Sequence, residues 1–397
     1  MAVRVGFLML SVLALRCGAD GGYFFSELQS GVPAASADQR AVLVYRDGRE
    51  TLLLQTGYEG EPGDFAWVIP TPTQAGREDV VAGAEEVFAE LARITAPRGY
   101  VWDSGGGGCM LAGCAGGEGG GGTREAVSLW EQFSVGGYEV SVLSAEDSAE
   151  LTRWLGDNGY GVPAVAEPVL RRYTERDWFF VALKVREAAA AGTAPPGSGA
   201  PRLRMGPIRI TFATEAPVFP MHISTVSTRE QVGVHLYVIA PHRIESTNYT
   251  TGQVEESRPF NPRAESFEDY YESQLRGTVR ALGPRSLAVE YAGALSAEQI
   301  TAVAEPLGLD VSGSYYLTRL STFIRPEHMT EDIRMVPAPT DARFRFETGA
   351  SPTAVATAKT AFCGLWLLGV VLHVRAARRR ATRAVLLLVT VLVALAV

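Results

Sequence analysis

The sequence predicts an α+β protein of mostly antiparallel sheet with helical insertions, followed by a C-terminal transmembrane helix or hairpin. Three observations predict it. Short runs rich in β-branched and aromatic residues, closed by Gly and Pro turns, come in blocks rather than alternating strictly with helices. Amphipathic stretches with apolar residues three and four apart stand between those blocks. The 397-residue chain then closes on two apolar runs that flank an arginine cluster. At 47% hydrophobic and 20% charged residues it has the apolar content to bury a core.

Residues 1–19 predict a secretory signal peptide: Arg4 makes the start positive, Val5–Leu15 is apolar, and the small residues Cys17 and Ala19 suit cleavage after 19. Cys17 also invites lipidation, but Arg16 stands where a lipid-attachment box wants a small residue. Residues 20–186 form the first half of the exported α+β region. Ala41–Tyr45 and Thr51–Gln55 are strands around the Asp47-Gly48 turn. Phe65–Ile69 is a strand stopped by Pro70 and Pro72. The spacing of Val80, Ala84, Val87, Leu91 and Ile94 predicts a helix over Glu78–Thr95, ended by Pro97.

A glycine-rich loop then carries Cys109 and Cys114. In an exported chain a close pair defaults to a disulfide, and zinc would want further ligands that are not nearby. Leu129–Phe133 and Tyr138–Leu143 predict a hairpin across Gly136-Gly137. Ser144 predicts an N-cap for a helix carrying Leu151, Trp154 and Leu155. A short helix over Ala164–Tyr173 and a strand over Trp178–Val185 follow.

Residues 187–207 are a low-complexity insertion or linker. Residues 208–350 form the second half. Ile208–Phe212, Val218–Val226 and Gly233–Ala240 continue the sheet. Phe267–Arg280 is a helix, as is Ala297–Ala304 behind a Ser296/Gln299 capping box, and Tyr315–Arg325 is the last long strand.

Residues 353–374 predict a transmembrane helix, since about 20 apolar residues cross the hydrocarbon. Arg375, Arg378, Arg379, Arg380 and Arg383 form a loop over 375–383 that stays cytoplasmic, because arginines are costly to translocate. The 384–397 run would extend about 21 Å as a helix, short of the roughly 30 Å core, and whether it crosses stays open. The expected location is therefore the bacterial cell membrane, with the main body outside the cytoplasm. Without the tail after residue 351, the chain holds 30 basic against 44 acidic residues. An acidic surface is a poor match for nucleic acid, which needs clustered cations to release counterions.

The blocks "VLVYRDGRETLLLQTGYEGEPGDFAWVIPTP", "TAPRGYVWD", "GGYEVSVLSAEDSAELTRWLGDNGYGVP", "WFFVALKV", "ESTNYTT" and "TRLSTFIRPEHMTEDI" resemble, in order, the bacterial domain of unknown function 2330 family. The resemblance covers roughly Gly22–Ala338. It implies an exported protein, often with a Gly/Cys-rich loop, and no established activity. Here "RCGADGGYFF" departs from the compact Cys-Gly-aromatic start of that family.

The residues themselves point to little chemistry. His222, His235, His242 and His328 show no metal-ligand spacing. There is no GxSxG elbow and no GxxxxGK[ST] phosphate loop. "YVIAPHRIESTNYTT" is the richest polar stretch, and His242, Arg243, Asn248 and Tyr249 are its candidate binding residues. These observations predict a membrane-tethered extracytoplasmic binding or scaffolding protein. It takes no cofactor, and its partners are the membrane and an envelope protein or glycan. The alternative is an envelope hydrolase using Asp64 with His235 or His242.

Overall fold

The computed structural model describes residues 22–25, 35–36, 39–59, 65–99, 128–185, 202–228, 230–261 and 264–348. The signal segment 1–19, Asp64, Cys109, Cys114, most of the 187–207 insertion, the 353–374 run, the arginines of 375–383 and the 384–397 run lie outside them. Among the described residues no helix is long and apolar enough to cross a membrane.

Two sheets face each other. The smaller is antiparallel, in the order Gly22–Phe25, Phe65–Thr71, Phe179–Val185, Tyr138–Ser144, Ser128–Val135. The larger has nine strands. Its main path runs Thr250–Gln253, Ser286–Ala294, Tyr316–Ile324, Val232–Ala240, Gln39–Arg46, Arg49–Gln55, Ile208–Ala213, Val80–Ala82, and Phe344–Arg345 adds to Ser286–Ala294. Only two of its pairings are parallel, Gln39–Arg46 with Val232–Ala240 and Thr250–Gln253 with Ser286–Ala294. The first of these seams the two halves of the chain together inside one sheet.

The period-two alternation of the strands sets the layers. Trp67, Ile69, Val140 and Leu183 of the small sheet pack on Leu43, Leu52, Ile210 and Leu236 of the large one. Each fully buried Leu or Ile there contributes about 1.5–3 kcal/mol. The opposite faces are covered by helices. On the small sheet, α2 (Ser148–Asp157) and α3 (Ala166–Thr174) cover Val68, Phe180 and Ala182. On the large sheet, α1 (Glu86–Thr95) and α5 (Ala297–Leu307) cover Val42, Leu53, Ile239 and Leu317. Beside them α4 (Phe267–Leu282) covers Ala288 and Phe323. The architecture is α+β with four layers, helix–sheet–sheet–helix.

Several elements differ from the sequence expectations. Pro70 does not stop its strand, which runs Phe65–Thr71. Among the described residues the Gly22–Phe25 neighbour pairs as far as Val68, two residues short of the proline. Val80–Ala82 is a strand paired with Ile208–Ile210, and the helix begins at Glu86. A β-branched Val-Val step beside an open edge was read at helical period. The cap of α2 is Asp147, whose side chain accepts from Glu150 N at 2.8 Å, rather than Ser144. The strand expected over Val218–Val226 is two residues long, and His222–Val226 is a 3₁₀ turn. Ser286–Ala294, unassigned from sequence, is a fully integrated strand.

Candidate anion-binding groove and the buried network beside it

The Ser286–Ala294 strand carries the site through an irregularity. Val289 pairs with Leu320 and Tyr291 with Arg319, so Glu290 is an extra residue that bulges out of the ladder. Leu287 and Val289 face the central core, but Tyr291 turns to the helix-covered side and Ala292 returns to the core. A bulge of this kind re-aims the side chains next to it. Here it sends the consecutive residues Glu290 and Tyr291 to one side of the sheet.

Glu290 enters a closed polar network. Tyr271 of α4 donates to its Oε2 at 2.6 Å, and Ser321 donates to its Oε1. Arg319 Nε lies 2.9 Å from the same Oε1. Burial opposes the charge on Glu290. Arg319, then His235, Ser321 and Tyr271, outweigh burial and hold the carboxyl below its ordinary range. His235 Nδ1 sits 2.7 Å from Ser321 Oγ and 4.0 Å from Glu290 Oε1. Since Ser321 gives its one proton to Glu290, His235 must donate to Ser321. A serine nucleophile needs the reverse, an imidazole that takes the proton. Ser321 is also fully buried, so this network is built to hold the bulge and the helix, not to meet a substrate.

Tyr291 instead floors an open groove. The segment 344–348 crosses above it as a strap. Phe344–Arg345 pairs antiparallel with Tyr291–Ala292, and Glu347–Thr348 pairs parallel with Arg98–Gly99. Phe346 is buried against Tyr270 and Tyr271 of α4. Thr348 is buried as well, bonded to Glu256 and 3.2 Å from the Tyr270 hydroxyl. Arg345 donates to the carbonyls of Ala96 and Ile94, each at 2.7 Å, and so closes the C-terminus of α1. Its guanidinium also lies 4.7 Å from the centre of the Tyr291 ring.

Between strap and strand lies a groove of about 460 Å³, lined among others by Arg98, Tyr291, Gly293, Arg343, Arg345 and Glu347. A Cβ at Gly293 would meet the Tyr291 hydroxyl at 2.6 Å, so glycine keeps the floor clear. Arg98 is exposed and 3.4 Å from the exposed Glu347, and Arg343, also in the lining, is exposed as well. The charged lining is three guanidiniums against one carboxylate. Guanidinium forks fit carboxylate and phosphate oxygens, and an aromatic floor adds contact area. The arrangement suits holding an anion rather than transforming it.

None of the described residues anticipated from sequence lines this groove. His242 Nδ1 is 3.0 Å from Asp341 Oδ2, and Arg243 N donates to Asp341 Oδ1 at 2.8 Å. Arg243 Nη1 also donates to Ala342 O at 3.2 Å. The bond from His242, and then that from Arg243 N, hold the Asp341 carboxyl below its usual range. Together they root the strap just before Arg343. Asn248 and Tyr249 face another loop. Asn248 Nδ2 donates to Asp332 O at 2.8 Å and its Oδ1 accepts from Arg334 N at 3.0 Å, while the Tyr249 hydroxyl donates to Glu331 O at 3.0 Å. His235 bonds Ser321 while His242 bonds Asp341, and among the described residues no three His, Cys, Asp or Glu side chains gather to hold a metal ion.

Arg98, Tyr291, Arg343 and Arg345 were not singled out from sequence. One signal was present: Arg343-Phe344-Arg345-Phe346 alternates charge and aromatic at strand period.

A family model described as "Uncharacterized protein conserved in bacteria (DUF2330)" matches residues 18–336, so the strap lies past the matched range. No curated protein and no solved structure matches.

Proposed function

The chain belongs to the uncharacterised bacterial family DUF2330, and from that premise we propose a membrane-tethered envelope protein whose body binds an anionic group in the Arg98–Arg343–Arg345 groove. The tether rests on the sequence: an export signal, an apolar run over 353–374 and an arginine cluster that stays cytoplasmic. The single observation that carries the binding role is the groove itself. It is an open concavity with the exposed guanidiniums of Arg98 and Arg343 in its lining, set in a body whose overall charge is negative. An acidic protein that gathers arginines at one concavity has arranged a local field against its own net charge, which attracts anions there.

The binding test uses the full chain purified in non-ionic detergent. Titration with glycerol phosphate should show saturable heat, with affinity in the millimolar range, about −4 kcal/mol. Glycerol should give none, and Arg98→Gln with Arg343→Gln should remove the signal. Equal heat from the double variant would end the groove assignment. The tether is tested separately by adding protease to intact spheroplasts. The 20–350 body should be digested, and survival until lysis would overturn the topology.

A further inference from the structure

We infer that the anion taken by the groove is the phosphate of a net-anionic lipid headgroup in the bilayer that anchors the chain; this rests on the tethered reading above. The argument is one of reach. The body does not release its C-terminal strap gradually. Phe346 is buried between the rings of α4, and Thr348 is buried on Glu256 and Tyr270. Thr348 is therefore a fixed exit point. Residues 349–352 alone separate it from the apolar run that begins at 353. Four residues extend at most about 14 Å. The headgroup layer on one side takes about 5–8 Å of that. The exit point thus stands within about 6–9 Å of the headgroup surface, close to one Debye length at physiological salt.

The groove is at that exit. Arg98 lies in register with Glu347, one residue before Thr348, and Arg343 and Arg345 stand on the same strap. A body with excess acid is repelled by an anionic bilayer on most of its surface. The arginine rims are the part of it that the same bilayer attracts, so the short tether and the charge pattern select one orientation, groove to membrane. At about 460 Å³ the groove is also large enough to admit a headgroup against a lining that holds Arg98, Arg343 and Tyr291.

The experiment reconstitutes the full chain in phosphatidylcholine vesicles with and without phosphatidylglycerol, and follows amide hydrogen exchange in peptides spanning 97–99 and 339–348. Phosphatidylglycerol should slow exchange there about fivefold or more, the change expected of one arginine held at an anionic surface. High salt should reverse it, and the Arg98→Gln/Arg343→Gln variant, checked for an unchanged melting curve, should not show it. Slowing by inorganic phosphate over neutral vesicles, equal to that of phosphatidylglycerol, would overturn the headgroup assignment and leave the groove an anion site. No response to either anion would overturn the headgroup assignment and the groove with it. Equal slowing in the double variant would overturn it too, since the effect would then not arise at these arginines. Topology fails independently, in the spheroplast digestion.

Discussion

Glu50 should make this protein less stable as pH rises through neutrality. The residue sits in the Arg49–Gln55 strand and is fully buried between the sheets. Its Oε2 accepts from Val218 N at 2.8 Å, while its Oε1 has no hydrogen-bond partner and no cation faces it. Burial pushes the carboxyl from 4.5 up to about 8, against a smaller downward pull from the Val218 N–H. The sign follows from linkage. Below about pH 4.5 the residue is protonated in both folded and unfolded chains, and its contribution to stability is fully present. Between that point and about pH 8 the unfolded chain ionises and the folded one does not, so each pH unit removes about 1.4 kcal/mol. The loss levels off at about 5 kcal/mol above pH 8. Glu50→Gln keeps the shape and a neutral acceptor for Val218 N, and removes the titration. Urea midpoints of the full chain and the variant, taken from about pH 5 to about pH 9, should start near each other and diverge in the variant's favour. Parallel curves across that range would refute the reasoning, because they would mean that Glu50 ionises inside the fold at little cost.

The other predictions concern the network and the groove. Glu290→Gln leaves Arg319 buried without its counter-charge and should cost about 3–5 kcal/mol in chemical denaturation, and a loss below about 1 would show that water already screens the pair. Asn248→Ala removes the bonds that hold Asp332 O and Arg334 N and should cost about 2–3 kcal/mol, with faster exchange over 331–334; an unchanged midpoint would place those bonds among the dispensable ones. Gly293→Val puts a side chain where the Tyr291 hydroxyl approaches, and should abolish glycerol phosphate binding while the far-ultraviolet circular dichroism stays native. Retained binding in that variant would mean that the ligand sits away from the Tyr291 floor.

Much of the fold was legible because local chemistry suffices for it. Asp47 and Gly48 both have positive φ and close the hairpin where the Asp-Gly pair predicted it. Ser296 and Gln299 form the capping box anticipated for α5. The Arg49–Gln55 and Tyr316–Ile324 strands, buried on both faces, show as short apolar runs. The groove was not legible in the same way. Its floor, Tyr291, lies on a strand whose alternation is broken by the Glu290 bulge, and one extra residue shifts the period that identifies a strand. Its lining brings together Arg98 and Glu347, 249 positions apart.

The sequence by itself determined the kinds of element, their turns and caps, and the sorting of charge between an acidic body and a cationic tail. These depend on neighbours a few residues away and on side-chain transfer energies. Only the tertiary structure decided which strands adjoin, that Ser321 faces Glu290 and His235 at once, and that the strap lays Arg343 and Arg345 beside Arg98. Periodicity tells which face of a strand is apolar. It does not tell which strand lies next to it, since that choice is made by the joint packing of segments far apart in the chain.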